Sequence, residues 1–496
     1  MNKMPFPVRI GCWLVLMQLI VFSCKKDEPD PYVPVPDPPA PTAFDINSIK
    51  DTYPEVAPLI SSPSWGPYNV HDPSIIKADD YYYCYSTDVG YGISDAALTP
   101  GLQVRRSKDL IQWQFVGWVF QGAPAMGANF IRQNGGTPNR LVWAPYVLKV
   151  GAEYRLYYSL ASNNAARSVI GLATASSPQG PWTEKGIVVN SFTTSGAMTN
   201  AIDPTVIVDQ QGQHHMYFGS AFDGIYTLKL DAATGLAQTS GDRGRRIAQR
   251  GFTNGSINGN IEAPEIIYNQ EQGKYYLFIS YDWLLTKYNV RVGRSASPEG
   301  PFLDFNGRDI NLVEDHGPMI LAPYQFTGHS GWQGTAHCAV FQENGQYYIA
   351  HQGRPGIDPY YMDLHVRKMF WTQSGWPVVS PERYAGEDNA AVAQADLAGE
   401  WEQIKLNHRV VPGFEREQSS PDFQAATPLT LAASGTFNNS TSNTWTYTAP
   451  WLELKYSDGT LDKVYVQKGR DWENKKNTIV FTGLNNTGTA VWGKKK

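Results

Sequence analysis

One unit recurs along this chain often enough to restrict what it can fold into. It is a small or ionisable residue followed in most copies by proline, then a short apolar strand, a polar turn and an aromatic strand. The copy NAIDPTVIVDQQGQHHMYFGS runs from residue 200 to 220. Others start at His71 (HDPSIIKADDYYYCYSTD), Val142 (VWAPYVLKVGAEYRLYYSLAS), Ile261 (IEAPEIIYNQEQGKYYLFISYD) and Thr335 (TAHCAVFQENGQYYIAHQGR). Apolar runs bounded by Asp, Asn, Gly and Pro, with a tight polar turn between them, read as β-hairpins. The copies return at intervals of roughly 60 to 75 residues, and no single hairpin can bury its own apolar faces, so the copies must stack on one another. Outer strands repeat too: SVIGLATASSPQGPWTEKG from Ser168 and NVRVGRSASPEGPFLDFNG from Asn289 share a Ser-Pro-x-Gly-Pro-aromatic turn. The expectation is an all-β chain with a five-bladed β-propeller over residues 44–388.

Composition supports short strands over long helices: the 496 residues include 28 Tyr, 20 Phe, 15 Trp, 45 Gly and 34 Pro. A net charge of −5 without basic runs argues against nucleic acid as a partner. Lys3 and Arg9 precede an apolar stretch, Ile10 to Phe22, that is too short to span comfortably and ends in Val21-Phe22-Ser23-Cys24. This ending resembles a bacterial lipobox, so residues 1–23 are expected to be a lipoprotein signal peptide and Cys24 the lipidated residue. An ordinary cleaved signal or an uncleaved anchor shares the same apolar run. The Pro-rich residues 24–43 read as a stiff tether, and the acidic KKDEPD after Cys24 is similar to surface-export signals, which points to an outer-membrane lipoprotein exposed at the cell surface and attached to the membrane only through its lipid. Of the folded part's cysteines, Cys84 and Cys338, two separate buried thiols are favoured over a pair. Residues 389–496 lack the hairpin signature and read as a small β-domain of sandwich or barrel type, with Trp401, Trp445 and Trp451 as packing residues.

Aligned on their prolines, the five hairpins place Asp72, Ala144, Asp203, Ala263 and His337 at one position. The first strand of each propeller blade lines the central channel, so this position forms a ring at one mouth, with Glu262 beside it. Carboxylates facing one another across a wet opening suit acid-catalysed glycoside cleavage. One stays protonated to serve the leaving oxygen and another stays ionised to activate water. Asp-Pro at a strand start is also ordinary turn chemistry, the simpler reading for any one hairpin; Asp72, Asp203 and Glu262 together favour the catalytic one. The second strands return to the same mouth and bring Asp88, Asn163, Ser220, Phe222, Asp282, Trp283 and Arg354 as wall candidates. Trp143 and Phe222 suit stacking on a furanose ring, and Arg354 suits a carboxylate or hydroxyl. Glu265 ranks below these, its facing depending on whether a bulge interrupts its strand.

HDPSI, VWAP, SVIGLATASSPQGPW, NAIDP, FGSAFDGI, IEAPEI, YNVRVGRSASPEGPF and TAHCAVF follow one another between residues 71 and 354, and their order and spacing resemble glycoside hydrolase family 43, within it the endo-1,5-α-L-arabinanases. The resemblance implies hydrolysis of α-1,5-linked arabinan or arabino-oligosaccharides with inversion, the acid and base about 6.5 to 9.5 Å apart. It implies Asp72 as general base, Glu262 as general acid and Asp203 as the residue that holds and tunes the acid. It also places His337 near one calcium ion on the channel axis, although Ca²⁺ prefers oxygen ligands. Two departures stand out: Tyr146 in WAPY, where many relatives carry Asp, and Ala221 in FGSAFDGI, where arabinanases often have a second aromatic. An exo-acting α-L-arabinofuranosidase or β-xylosidase on the same scaffold, and a non-catalytic glycan-binding propeller, are the alternatives.

Overall fold

The hairpins form where the alternation places them, and each becomes the inner pair of a larger sheet. The structure is a computed structural model that describes residues 44–61, 65–94, 97–164, 167–192, 199–253, 256–257, 260–409 and 419–496. The expected signal peptide, Cys24 and the tether lie outside these residues. The first blade is Ser74–Ala78, Tyr81–Ser86, Gln103–Ser107 and Gln114–Trp118, and the second is Trp143–Val150, Glu153–Ala161, Ser168–Ala175 and Thr183–Asn190. The third is Thr205–Val208, His214–Phe218, Ile225–Leu230 and Arg245–Ala248, and the fourth is Ile261–Asn269, Lys274–Tyr281, Asn289–Ser295 and Met319–Leu321. All four are antiparallel, each strand pairing with its neighbour in sequence. Turn chemistry sets the registers: the Asp209 carboxylate accepts the N–H groups of Gln211 and Gln213, each at 2.9 Å. Asn344 and Gly345, at φ 50° and 82°, make the two-residue turn of the fifth hairpin.

That fifth hairpin corrects the expectation of five blades, because the described residues form four four-stranded blades and not five. The strand Gln346–Pro355 is long enough to pair Ala339–Glu343 with its first half and Trp332–Gln333 with its end. Tyr324–Gln325 joins that edge, and Gln424–Ala425 pairs with it in parallel, giving a seven-stranded sheet completed by Asp363–Trp371 and Pro377–Val379. The extra strands are two residues long and carry no periodicity of their own.

The sheets are joined by repeated side-chain bonds. The Tyr85 hydroxyl donates to the Pro178 carbonyl and the Tyr217 hydroxyl to the Pro298 carbonyl, so an inner strand of one blade grips the Ser-Pro turn of the next. Tyr157 donates likewise to the Gly235 carbonyl at 2.9 Å and Tyr276 to the Gly375 carbonyl at 2.6 Å. This gives the abundant tyrosines a physical purpose, since a buried phenol needs an acceptor. Apolar clusters fill the same interfaces, for example Tyr157, Ile170 and Leu172 against Val206, Met216 and Phe218. Cys84 and Cys338 are both buried and free, as expected.

The C-terminal residues form a closed eight-stranded barrel, which settles the choice between sandwich and barrel. Its strands run from Gly399–Leu406 through Thr427–Leu431, Thr436–Phe437, Ser440–Thr448, Trp451–Lys455, Leu461–Asp471 and Lys476–Asn485 to Ala490–Lys495. Pairing of the first strand with the last closes it. Trp401 and Trp445 belong to its core, as the alternation suggests. Another core is continuous across both domains: Ile404, Leu406, Leu484, Ala490 and Trp492 of the barrel pack with Trp332, Trp376 and Val378.

Candidate active site

The ring position is a backbone device before it is a chemical one. Asp72, Ala144, Asp203, Ala263 and His337 all have positive φ, at 54°, 37°, 59°, 56° and 51°. Left-handed backbone is unusual for residues other than glycine, so five such residues at aligned positions mark one local geometry. Register shifts at Trp143/Tyr146 and Glu262/Glu265 show the bulge directly. Each residue's N–H is satisfied by a side chain of the preceding hairpin. Ala144 N donates to Thr87 Oγ1 at 2.7 Å, Asp203 N to Ser159 Oγ at 3.1 Å and Ala263 N to Asp203 Oδ2 at 3.1 Å. His337 N donates to Ser280 Oγ at 2.9 Å, and Asp72 N to Gln352 Oε1 at 3.1 Å, closing the cycle.

Within this ring the carboxylates have different surroundings. Asp72 Oδ1 lies 2.7 Å from His337 Nδ1, and Oδ2 lies 2.7 Å from His71 Nδ1 while accepting the Thr87 hydroxyl at 2.6 Å. Burial alone would raise the Asp72 carboxyl, but the His337 and His71 imidazoles outweigh it and hold the group well below the usual carboxylate range. Burial would lower His337; Asp72, then Asp203 and Glu262, raise it to about 9. Asp203 goes the other way, pushed well above its ordinary value by burial and by the Glu262 and Asp72 charges, against the pull of His337 and the Ala263 N–H. Glu262 is fixed at both oxygens: Ser220 Oγ donates to Oε2 at 2.7 Å and Tyr288 OH to Oε1 at 2.6 Å. One carboxyl is thus pushed down, another pushed up, and a third cradled by hydroxyls, all at one mouth.

The remaining candidates divide. Ser220 bridges the strand of Glu262, and Phe222 follows at a second left-handed corner, φ 48°, exposed beside it. Arg354 is buried, donates to the Pro359 carbonyl, and is lowered to about 10 by burial against the opposing Asp72 charge. It lines a cleft of about 490 Å³ with His71, Leu284, Leu285 and Tyr360. Trp143 is half-buried and packs in the cluster of Tyr91, Leu141 and Tyr361, outside that lining. Asp88 is a structural acceptor for the N–H groups of Gly101, Leu102 and Val142. Glu265 turns inward at its bulge, where Thr205 Oγ1 and Val340 N hold it at 2.9 and 3.1 Å. Tyr146 donates to the Val206 carbonyl at 2.8 Å, tying the second blade to the third. Sequence reasoning missed Tyr288, Thr87, Gln352 and Ser280. Tyr288 sits in a loop outside the repeat, and the others look like ordinary strand-end polar residues.

His337 leaves only its Nε2 side for the expected calcium, because Nδ1 faces Asp72 Oδ1 at 2.7 Å, and the rest of a shell there would be water. Ca²⁺ takes six to eight oxygens, whereas the imidazole offers nitrogen, both Asp72 oxygens are engaged, and so are both Glu265 oxygens. An acidic cluster does exist elsewhere, formed by Glu382, Asp471 and Glu473 with ligand atoms within 4.8 Å of one another. Lys494 Nζ already fills it, at 3.0, 3.0 and 2.6 Å from the three carboxylates.

Three carboxyl groups in opposed settings at the mouth of a propeller channel, with hydroxyls and an arginine beside them, define the class of protein: a hydrolase of glycosidic bonds. Residues 66–377 match the profile of glycosyl hydrolases family 43, and residues 381–493 match that of its C-terminal lipocalin-like domain. The chain belongs to glycosyl hydrolases family 43. It is similar to the extracellular endo-alpha-(1->5)-L-arabinanase of Thermotoga petrophila, 28% identical over 466 residues covering 86% of this chain and 93% of the relative. It is also similar to the extracellular endo-alpha-(1->5)-L-arabinanase 2 of Bacillus subtilis, at 27% identity with the same coverage. The crystal structure of the endo-1,5-alpha-L-arabinanase from Thermotoga petrophila superposes with a TM-score of 0.72 at 26% identity, covering 86% of this chain and 98% of that one.

Proposed function

We propose that this protein hydrolyses internal α-1,5 linkages of L-arabinan by a single inverting displacement. Asp72 takes a proton from the attacking water, Glu262 protonates the departing oxygen, and Asp203 holds and tunes the acid from the preceding hairpin. The observation that carries the reading is the opposed environment of two ring carboxylates. Asp72 is held well below its ordinary range beside two imidazoles, while Asp203, at the equivalent position, is pushed well above it by burial and its acidic neighbours. Arg354 and the cleft beside it suit a sugar hydroxyl, and Phe222 suits a furanose face. A calcium ion beside His337 would be held through Nε2, the ring nitrogen turned away from Asp72, and would carry no proton in this scheme. The relatives' extracellular location supports export of this chain, with lipid on Cys24 and residues 389–496 as a barrel domain carried with the propeller. The deciding experiment is product analysis on linear arabinan with anomeric configuration read by NMR at early times. Mixed oligosaccharides with inverted configuration are expected; arabinose alone, or retained configuration, would reject the reading.

A further inference from the structure

A buried carboxylate outside the ring connects the barrel to the acid. Asp282 ends the strand Lys274–Tyr281, and its N–H donates to the Asn260 carbonyl at 3.1 Å, two residues before Glu262. Its Oδ1 pairs with Arg250 at 2.6 Å and its Oδ2 accepts Asn289 Nδ2 at 2.8 Å. Asp282 and Asn289 are therefore the two feet of the loop 283–288, and that loop is one wall of the site. Tyr288 donates to Glu262, Leu284 and Leu285 line the cleft beside Arg354, and the Thr286 carbonyl accepts the N–H of Gly334 at 2.8 Å. Gly334 sits at φ 59°, and a Cβ there would meet Arg354 Cδ at 2.5 Å, so the loop is packed down tightly on the mouth.

The remaining partner of Asp282 comes from the barrel side. His408 Nε2 lies 3.4 Å from Asp282 Oδ2, just past the barrel's first strand, Gly399–Leu406. His408 is held at every polar point. Its N–H donates to Gln424 Oε1 at 3.1 Å, its carbonyl accepts Arg291 at 3.0 Å, and its Nδ1 lies 3.1 Å from Asp422 Oδ2. We propose that His408 is a positioning residue for proton delivery, fixing through Asp282 the foot of the loop whose Tyr288 aims Glu262. This rests on the reading of Glu262 as the acid. A barrel with no residue in the cleft thereby sets the geometry of the proton transfer, in which small displacements cost about 100-fold.

The test uses the full chain and two substrates: linear arabinan, whose leaving alkoxide needs a proton, and an arabino-oligosaccharide with a nitrophenyl leaving group, which departs without one. His408→Ala should lose about 10- to 100-fold in kcat/KM on arabinan while keeping the nitrophenyl rate within about twofold. His408→Gln, whose amide nitrogen takes the place of Nε2 and can still reach Asp282, should recover most of the loss. Glu262→Gln, run in parallel, should show the same selectivity more strongly. Equal losses on both substrates, or none on either, with Glu262→Gln still selective, overturn the role of His408 alone. A Glu262→Gln that spares arabinan hydrolysis overturns the acid assignment, and the role of His408 with it.

Discussion

Asp72 and Asp203 share a ring position, a left-handed backbone and near-complete burial, yet their protonation is pushed in opposite directions. The balance of neighbours differs: His337 and His71 outweigh burial at Asp72, whereas at Asp203 the Glu262 and Asp72 charges add to burial against the pull of His337. Asp72→Asn should therefore lower arabinan turnover by 10²- to 10⁴-fold, the range for an acid–base group, while the melting temperature stays close to wild type. Tyr288→Phe should cost less, about 10- to 100-fold in kcat and at least as much as His408→Ala, because Ser220 still holds one Glu262 oxygen. Asp282 supplies the pH dependence at this scale. Burial would raise its carboxyl, but the His408 bond and the Arg250 charge hold it at about 2. Its unfolded value is about 3.9, so its contribution is full above that pH and is lost as pH falls through about 2. That contribution is about 2 to 3 kcal/mol. Urea melts across this range should show a shallower acid decline for Asp282→Asn than for wild type.

At the scale of elements, what was legible in the sequence was what the chain fixes locally. The hairpins, their turns and the ring position all follow from period-two runs punctuated by Asp, Pro and Gly, and Ala144 and Ala263 prove the alignment by sharing the backbone of Asp72 without its chemistry. The fifth sheet was not legible. Tyr324–Gln325, Trp332–Gln333 and Gln424–Ala425 become strands only because the end of Gln346–Pro355 offers them an edge, a tertiary effect that leaves no mark in two residues. Tyr288 was hidden for a related reason, since its value lies in the loop's fold and not in the repeat. The interblade tyrosines offer a check on stacking itself. Tyr157→Phe deprives the Gly235 carbonyl of its donor and should cost about 1 to 3 kcal/mol in chemical denaturation, with activity unchanged.

Across the whole molecule, propeller and barrel share one core and one charge cluster. Lys494 balances Glu382, Asp471 and Glu473 at that junction and also lies 3.7 Å over the Phe326 ring. Lys494→Met would leave three buried carboxylates with no cation among them, so a loss of about 3 to 5 kcal/mol is expected, read as a lowered calorimetric transition. The barrel closes only when Ala490–Lys495 pairs with Gly399–Leu406, and that last strand carries Lys494 itself. His408 follows the first strand by two residues and relies on the closed barrel for its footing. A chain whose propeller has formed but whose barrel is still open would therefore lack its clasp on the acid, so the full hydrolytic rate waits on barrel closure.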